Sequence, residues 1–428
     1  MNAPDPVGPT RRQVLGWFGA AAGAAAGGAL LPGCTTDARH ATSTTSPSGP
    51  RPTFPSRVPP GRRVLVVVEL SGGNDGLSTL IPHDDGHYHD LRPTLALGAD
   101  HLLDIGGGYS LNAALTPIHE KGLTVLTGIG VRTPSLSHFD MLARWWAGTP
   151  DATTGGGTGF LGRVCDRLGS GDHWAGVSIS QLSSLAIVGT SGNTVSIPSG
   201  EPRRSVAAPL PSADDEFDRA VKALGAAGTG AGPSATASKS LGRMLSASDL
   251  LAGLPAASGG YPAETDLAGS FGAQMAFASQ LIRADNGVRV IHVTMDRADF
   301  DTHEMHLVRH AKCMNVLVPG LTAFRTDLET HGLTDRVLIA TTSEFGRRAA
   351  ENSTGLDHGA ASCALLMGPV KPGVVGEHPS LTKLDPFGNL VSTVSFADYY
   401  ATLATWLDVD PTSVISGRPR AIEALLAA

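Results

Sequence analysis

The sequence predicts an α/β protein, a doubly wound fold on a mostly parallel sheet. Three observations carry this. Short, continuous runs of β-branched and apolar residues recur along the chain, beginning with Val64 to Glu69. Such runs mark strands buried on both faces. Helix-period segments separate them, which is the alternation that builds crossover units. Several of the strands also end in acids, imidazoles or small polar residues, the pattern of a sheet whose carboxyl edge gathers a ligand site.

In order, strands are expected at 64–70, 123–128, 175–181, 289–295, 336–342 and 362–367. Helices are expected at 113–121, 137–147, 160–168, 266–284, 304–331 and 397–407. Residues 222–240 are rich in Ala, Gly, Ser and Thr and read as a low-complexity surface loop. No internal repeat is present. The domain spans 61–428, long enough for one large core.

Residues 1–34 read as a targeting segment rather than structure. Arg11 and Arg12 form a twin-arginine signature, followed by an uncharged apolar stretch from Val14 to Leu31. The segment closes on Leu31, Pro32, Gly33 and Cys34, in the order of a lipoprotein cleavage site, so Cys34 is the expected lipidation position. Export by the twin-arginine route and a lipid anchor on the membrane follow as expectations. Residues 35–60, rich in Thr, Ser and Pro, read as a tether. The remaining cysteines, Cys165, Cys313 and Cys363, match neither a disulfide framework nor a zinc knuckle and read as small buried hydrophobes. With a net charge of −7 and no basic stripe, nucleic acid is not an expected partner.

The densest chemistry lies between Asp299 and His306, where Asp299, Asp301, His303, Glu304 and His306 fall within eight residues just beyond a strand. Asp301 and His303 project to one side if extended; Asp299 and His303 share a face if helical. Either pair can clamp a divalent metal. His306 and His310 lie on the helix that follows and read as supporting or surface groups. Asp75 closes the first strand inside a glycine-rich turn, where Asn and Asp are also ordinary turn residues. Ser135, Ser137 and His138 open a helix. A Ser there is commonly a cap, but a helix N-terminus beside a metal also suits a nucleophile. Glu344 and Arg347 follow another strand, as a carboxylate ligand beside an anion-binding guanidinium or as a plain ion pair. Asp357 and His358 precede the next strand. Oxygen and imidazole donors together suit zinc, manganese or calcium, as one or two ions.

These motifs occur in a fixed order: the twin-arginine leader, Leu70 to Gly76, Ser137 to Phe139, Asp301 to His303, Ser343 to Arg347, and Asp357 to Gly359. In that combination the chain, from about residue 62 to its end, resembles the exported bacterial family called domain of unknown function 1501. That family in turn resembles the alkaline phosphatase/sulfatase superfamily. The resemblance implies an alkaline-phosphatase-like central sheet with helices on both faces, and a divalent metal centre acting on a small anionic ester. It implies Asp75, Asp301, His303, Glu344 and His358 as metal ligands, with Asp357 beside His358, and Ser137, with Ser135 as the alternative, as nucleophile; on the residues themselves His138 is expected to orient that Ser or a substrate oxygen and Arg347 to hold the anion. The chain departs from the superfamily at Phe345, where a second imidazole is expected. The implied function is hydrolysis of phosphate or sulfate esters; the alternative is a non-catalytic envelope protein that keeps the fold.

Overall fold

The computed structural model describes residues 62–149, 157–169, 174–180, 184–198, 215–227, 232–262, 267–295 and 298–426. The expected leader, Cys34 and the tether lie outside these residues. Among the described residues no helix is long and apolar enough to cross a membrane.

The strands are β1 (Val64–Glu69), β2 (Leu80–Ile81), β3 (Leu102–Gly106), β4 (Tyr109–Asn112), β5 (Thr124–Gly130), β6 (Gly176–Ile179), β7 (Thr194–Ile197), β8 (Val290–Thr294), β9 (Val337–Thr342), β10 (Ser362–Met367), β11 (Gly373–Val375) and β12 (Val394–Ser395). The main helices are α1 (Gly86–Leu91), α2 (His138–Ala147), α3 (Phe160–Leu168), α4 (Asp215–Ala226), α5 (Pro233–Ala252), α6 (Leu267–Arg283), α7 (His306–Thr330) and α8 (Phe396–Trp406).

Nine strands form one sheet in the order β11-β5-β10-β9-β1-β8-β6-β7, with β12 pairing the end of β5. β1 pairs parallel with both β8 and β9, and β6 parallel with β7 and β8. Among the described strands of this sheet, β10 alone runs backwards, antiparallel to β5 and β9. That reversal matters, because the start of β10 then lies at the carboxyl ends of its neighbours.

β1 shows why the sheet is central. Its alternate residues feed opposite faces: Val64, Val66 and Val68 pack with Phe271 and Met275 of α6 and Met314 and Leu317 of α7. Leu65 and Val67 pack with Met141 and Trp145 of α2, Phe160 of α3 and Tyr399 of α8. Helices therefore cover both faces, as the alternation of strand and helix requires.

Each expected strand and long helix has its counterpart, within a few residues. The described part of 222–240 differs: 222–226 and 233–240 are helical, belonging to α4 and α5. Alanine, lysine and leucine carry high helix propensity, and this outweighs the loop signal of the small residues. The small sheet β2-β4-β3 and the short strands β7, β11 and β12 were not expected, being too brief for a period to emerge. Cys165, Cys313 and Cys363 are free and buried.

Candidate metal centre

At the carboxyl edge, the chain leaving β8 turns through Asp299 to His303. Asp299 Oδ1 accepts the Asp301 backbone N–H at 2.9 Å, which fixes the turn and leaves Asp301 to face the site. Gly72, leaving β1 with φ +101°, presses against this turn; a Cβ there would lie 2.2 Å from Asp299 Oδ1 and 2.4 Å from the Asp301 nitrogen. Only glycine fits.

Three ring nitrogens converge on the Asp301 carboxylate. His303 Nε2 and His358 Nε2 each lie 3.2 Å from Asp301 Oδ1, and 2.9 Å from each other. His138 Nε2 lies 3.5 Å from Asp301 Oδ2. The candidate ligand atoms of His138, Asp301 and His358 all fall within 4.8 Å of one another.

The other nitrogen of each ring meets an acceptor. His303 Nδ1 donates to Asp357 Oδ1 at 3.1 Å, His358 Nδ1 to the Leu136 carbonyl at 2.6 Å, and His138 Nδ1 to Glu344 Oε1 at 3.0 Å. These partners hold the protons on Nδ1 and turn the Nε2 lone pairs inward. Neutral imidazoles so held place two lone pairs against each other and against a carboxylate oxygen. That arrangement is repulsive unless a cation sits among them. Three atoms bonded to one tetrahedral ion at about 2.0–2.1 Å lie about 3.3 Å apart, close to the spacing seen. Asp301 and His358 fit a divalent metal with either of two third donors: His303, within 3.2 Å of both, or His138, whose ligand atom lies within 4.8 Å of theirs.

The electrostatics agree. With no metal bound, burial alone would raise the Asp301 pKa, but hydrogen bonds from His138, His358 and Arg347 hold it well below the usual carboxylate range, the two rings then carrying on Nε2 the protons that a metal would replace. Burial would lower the His138 pKa, yet Asp301 and Glu344 outweigh it and raise it to about 9. Without a metal, His138 is therefore the cation that bridges the two carboxylates.

Three sequence expectations receive different places. Asp75 is not at the cluster. It is buried, and Arg92, at the end of α1, grips both its oxygens at 2.5 and 2.9 Å. Burial would raise its pKa, but Arg92 brings it far down. Coordination would require breaking that ion pair. Arg347 is not free to hold substrate. It is fully buried and donates to the carbonyls of Gly72, Gly73, Leu356 and Phe300, and to Asp301 Oδ1 at 2.8 Å. It pins the turns after β1, β8 and β9 together. Asp357 orients His303 instead of facing the cluster, and is itself held by Asn352 Nδ2 at 2.6 Å.

Glu344 is buried; its Oε1 accepts from Gly72 N at 2.7 Å and from His138, while Oε2 has no hydrogen-bond partner. Ser137 occupies the N-cap of α2 but makes no capping bond, so its hydroxyl is not committed to the helix. Ser135 instead bonds Asp140 at 2.8 Å. Phe345 stands where an imidazole was expected, its ring 4.9 Å from that of His138 and 4.5 Å from that of His358.

Sequence reasoning missed Arg92, Asn74 and the depth of His306 and His310. Both imidazoles are buried on α7: His306 between Ser78 Oγ at 2.9 Å and Thr302 Oγ1 at 2.8 Å, His310 against Asn74 Oδ1 at 3.3 Å. The signal was available in the i, i+4 spacing of His306 and His310 with Cys313 and Met314, which puts them on the helix's inner face.

No curated protein matches the chain. Solved structures similar to it include a sulfatase from Pseudoalteromonas sp. (12% identity, 86% of this chain and 72% of that one, TM-score 0.41). Others are a phosphonate monoester hydrolase from Silicibacter pomeroyi (10% identity, 85% and 76%, TM-score 0.40) and a lipoteichoic acid synthase from Listeria monocytogenes (8% identity, 85% and 75%, TM-score 0.38). The family described as protein of unknown function DUF1501 matches residues 121–421, which hold every residue of the Asp301 cluster, and the chain belongs to that family.

Proposed function

We propose that this chain is an exported, metal-dependent hydrolase of phosphate or sulfate esters. The observation that carries the reading is the convergence of three Nδ1-anchored imidazoles on Asp301 at the sheet's carboxyl edge. The uncommitted hydroxyl of Ser137 lies next to one of them in the chain. The nitrogen-rich donor set favours zinc or manganese over calcium. The order of the motifs supports the ester class, and the paired arginines with Cys34 support export and lipid anchoring.

A divalent cation bound there supplies Lewis acidity, lowering the pKa of a nearby hydroxyl and stabilising oxygen charge. The protein's own groups supply the rest. Asp301, His303 and His358 hold the centre, while Glu344 and Asp357 keep two rings in orientation. The Ser137 oxygen attacks the phosphorus or sulfur; the bond to the alcohol oxygen breaks, and the alcohol leaves with a proton. Water then displaces the serine oxygen and releases the inorganic anion. The N-terminus of α2 favours the developing negative charge on Ser137.

The test is a panel of aryl phosphates, phosphodiesters and aryl sulfates given to the zinc- or manganese-loaded chain. Turnover abolished in Ser137→Ala with metal content retained supports the reading; no turnover by the loaded wild type sinks it. One observation favours a second reading, a non-catalytic envelope protein: Arg347, expected to hold the anion, is wholly occupied inside the fold. The same panel separates the two.

A further inference from the structure

We infer that the ester's alcohol part is apolar, an alkyl or aryl group lying on a collar of exposed side chains around the metal centre. The inference rests on the hydrolase reading and names its substrate class.

Nine large apolar side chains are exposed among the described residues. Scattered singly, they would need no explanation. Six belong to segments that leave or enter the sheet at its carboxyl edge: Phe139 near the start of α2 after β5, Met305, Leu307 and Val308 at the start of α7 after β8, and Phe387 and Val391 between β11 and β12. Phe139, 59% exposed, directly follows His138. Met305, also 59% exposed, comes two residues after His303, and Val308, 63% exposed, lies one helical turn further on. The loop bearing Phe387 and Val391 reaches the same edge, where the Leu390 carbonyl accepts from Ala361 N at 3.3 Å and Val394 pairs with Ile129.

Met305 adds an independent sign. It caps α7 in the left-handed region, φ 51° and ψ 41°, a conformation natural to Gly or Asn. Thr354 holds it there, its Oγ1 accepting from Met305 N at 3.3 Å and its carbonyl from His306 N at 2.8 Å. Those two hydrogen bonds offset the backbone strain, but exposing an apolar side chain there gains nothing for folding. Such outliers collect at functional sites. Phe139 adjoins His138 in the chain and Met305 lies two residues from His303, and on that placement we assign to the collar the part of the ligand that extends beyond the metal centre. A centre that takes the charged end of an ester leaves the alcohol end to lie against Phe139 and Met305.

The experiment uses the full, metal-loaded chain and n-alkyl phosphonates from methyl to octyl as uncleaved probes, with affinity read by calorimetry. The matching alkyl phosphates and sulfates are assayed for kcat/KM. Affinity is expected to rise about twofold or more per methylene, up to the roughly fourfold of full burial. In the double variant Phe139→Ser, Met305→Ser the rise should flatten while metal content is retained. A flat series in the wild type, or an unchanged slope in the variant, overturns the proposal. So does a variant that keeps the slope but no longer sediments with phosphatidylglycerol vesicles, which would make the collar a membrane face. A rising phosphonate series with no ester turned over sinks the hydrolase reading and leaves the collar's apolar preference standing.

Discussion

His303 Nε2 and His358 Nε2 face each other across 2.9 Å, each with its Nδ1 proton already given to an acceptor. Two residues 55 positions apart in the chain are thereby set as one ligand pair. The metal-bound chain is expected to carry about one divalent ion, and His303→Ala with His358→Ala together should abolish that binding. Elemental analysis after dialysis checks it; full metal content in the double variant would refute the site.

Among the described residues, Asp357 reaches the cluster through His303. Asp357→Asn should leave the fold intact, since it preserves volume, but lower metal affinity about 10- to 100-fold by loosening the ring and its tautomer. Competition with a chromogenic chelator measures this. Unchanged affinity would mean that His303 is not a ligand, or is oriented by something else.

The buried pair of Asp75 and Arg92 stabilises the fold beneath the site. Arg92→Met leaves an unpaired carboxylate in the interior and should cost about 3–5 kcal/mol, as should Asp75→Ala. The double variant Asp75→Ala, Arg92→Met should be less damaged than either single change would add up to. Denaturant unfolding reads these values. Loss of metal in Asp75→Ala at unchanged stability would restore Asp75 to the ligand set.

Burial lowers the His306 pKa from 6.5 to about 3, and that of His310 to about 4. Both are depressed, so the unfolded chain binds their protons first as pH falls. Their contribution to stability is complete above pH 6.5 and is lost progressively towards pH 3–4. Between about pH 6.5 and 5 the carboxylates of either state scarcely titrate, so the slope there reports the imidazoles whose pKa folding moves, downward in His306, His310 and His378 and upward in His138, and the His310→Gln difference isolates one of them. Unfolding free energy should fall across that window and fall less in His310→Gln. A flat profile would show that the two rings are hydrated.

Gly72 has no room for a side chain. Gly72→Ala forces a Cβ into Asp299 and the Asp301 nitrogen at a backbone angle that L-residues avoid. It should displace Asp301 and lower metal content before it unfolds the protein. Metal analysis beside a thermal melt separates the two effects; unchanged content would show that the turn can yield.

The sheet was legible because buried strands must be apolar on both faces, and β1, β8, β9 and β10 each announce themselves by that run. α6 and α7 were equally plain, their length giving the period room to show. The chemistry of Asp301, His303, His138 and His358 was visible as residue types at strand ends. Their division of labour was not. Asp75 and Asp301 look alike in sequence, each an acid in a turn after a strand. One meets Arg92, which lies 17 positions on and reaches it only when α1 packs against the turn.

By itself the sequence determined the strand and helix pattern, the edge at which acids and imidazoles would collect, and the family. Local periodicity and turn chemistry are short-range properties, written in neighbouring residues. Only the tertiary structure decided which acid faces the imidazoles, that Arg347 is spent on four carbonyls, that Asp357 serves His303, and that β10 runs backwards to bring His358 to the same edge. Those outcomes depend on which hydrogen-bond partners arrive from distant segments, and the cost of leaving a buried donor or acceptor unpaired lets the arriving partner bias the choice.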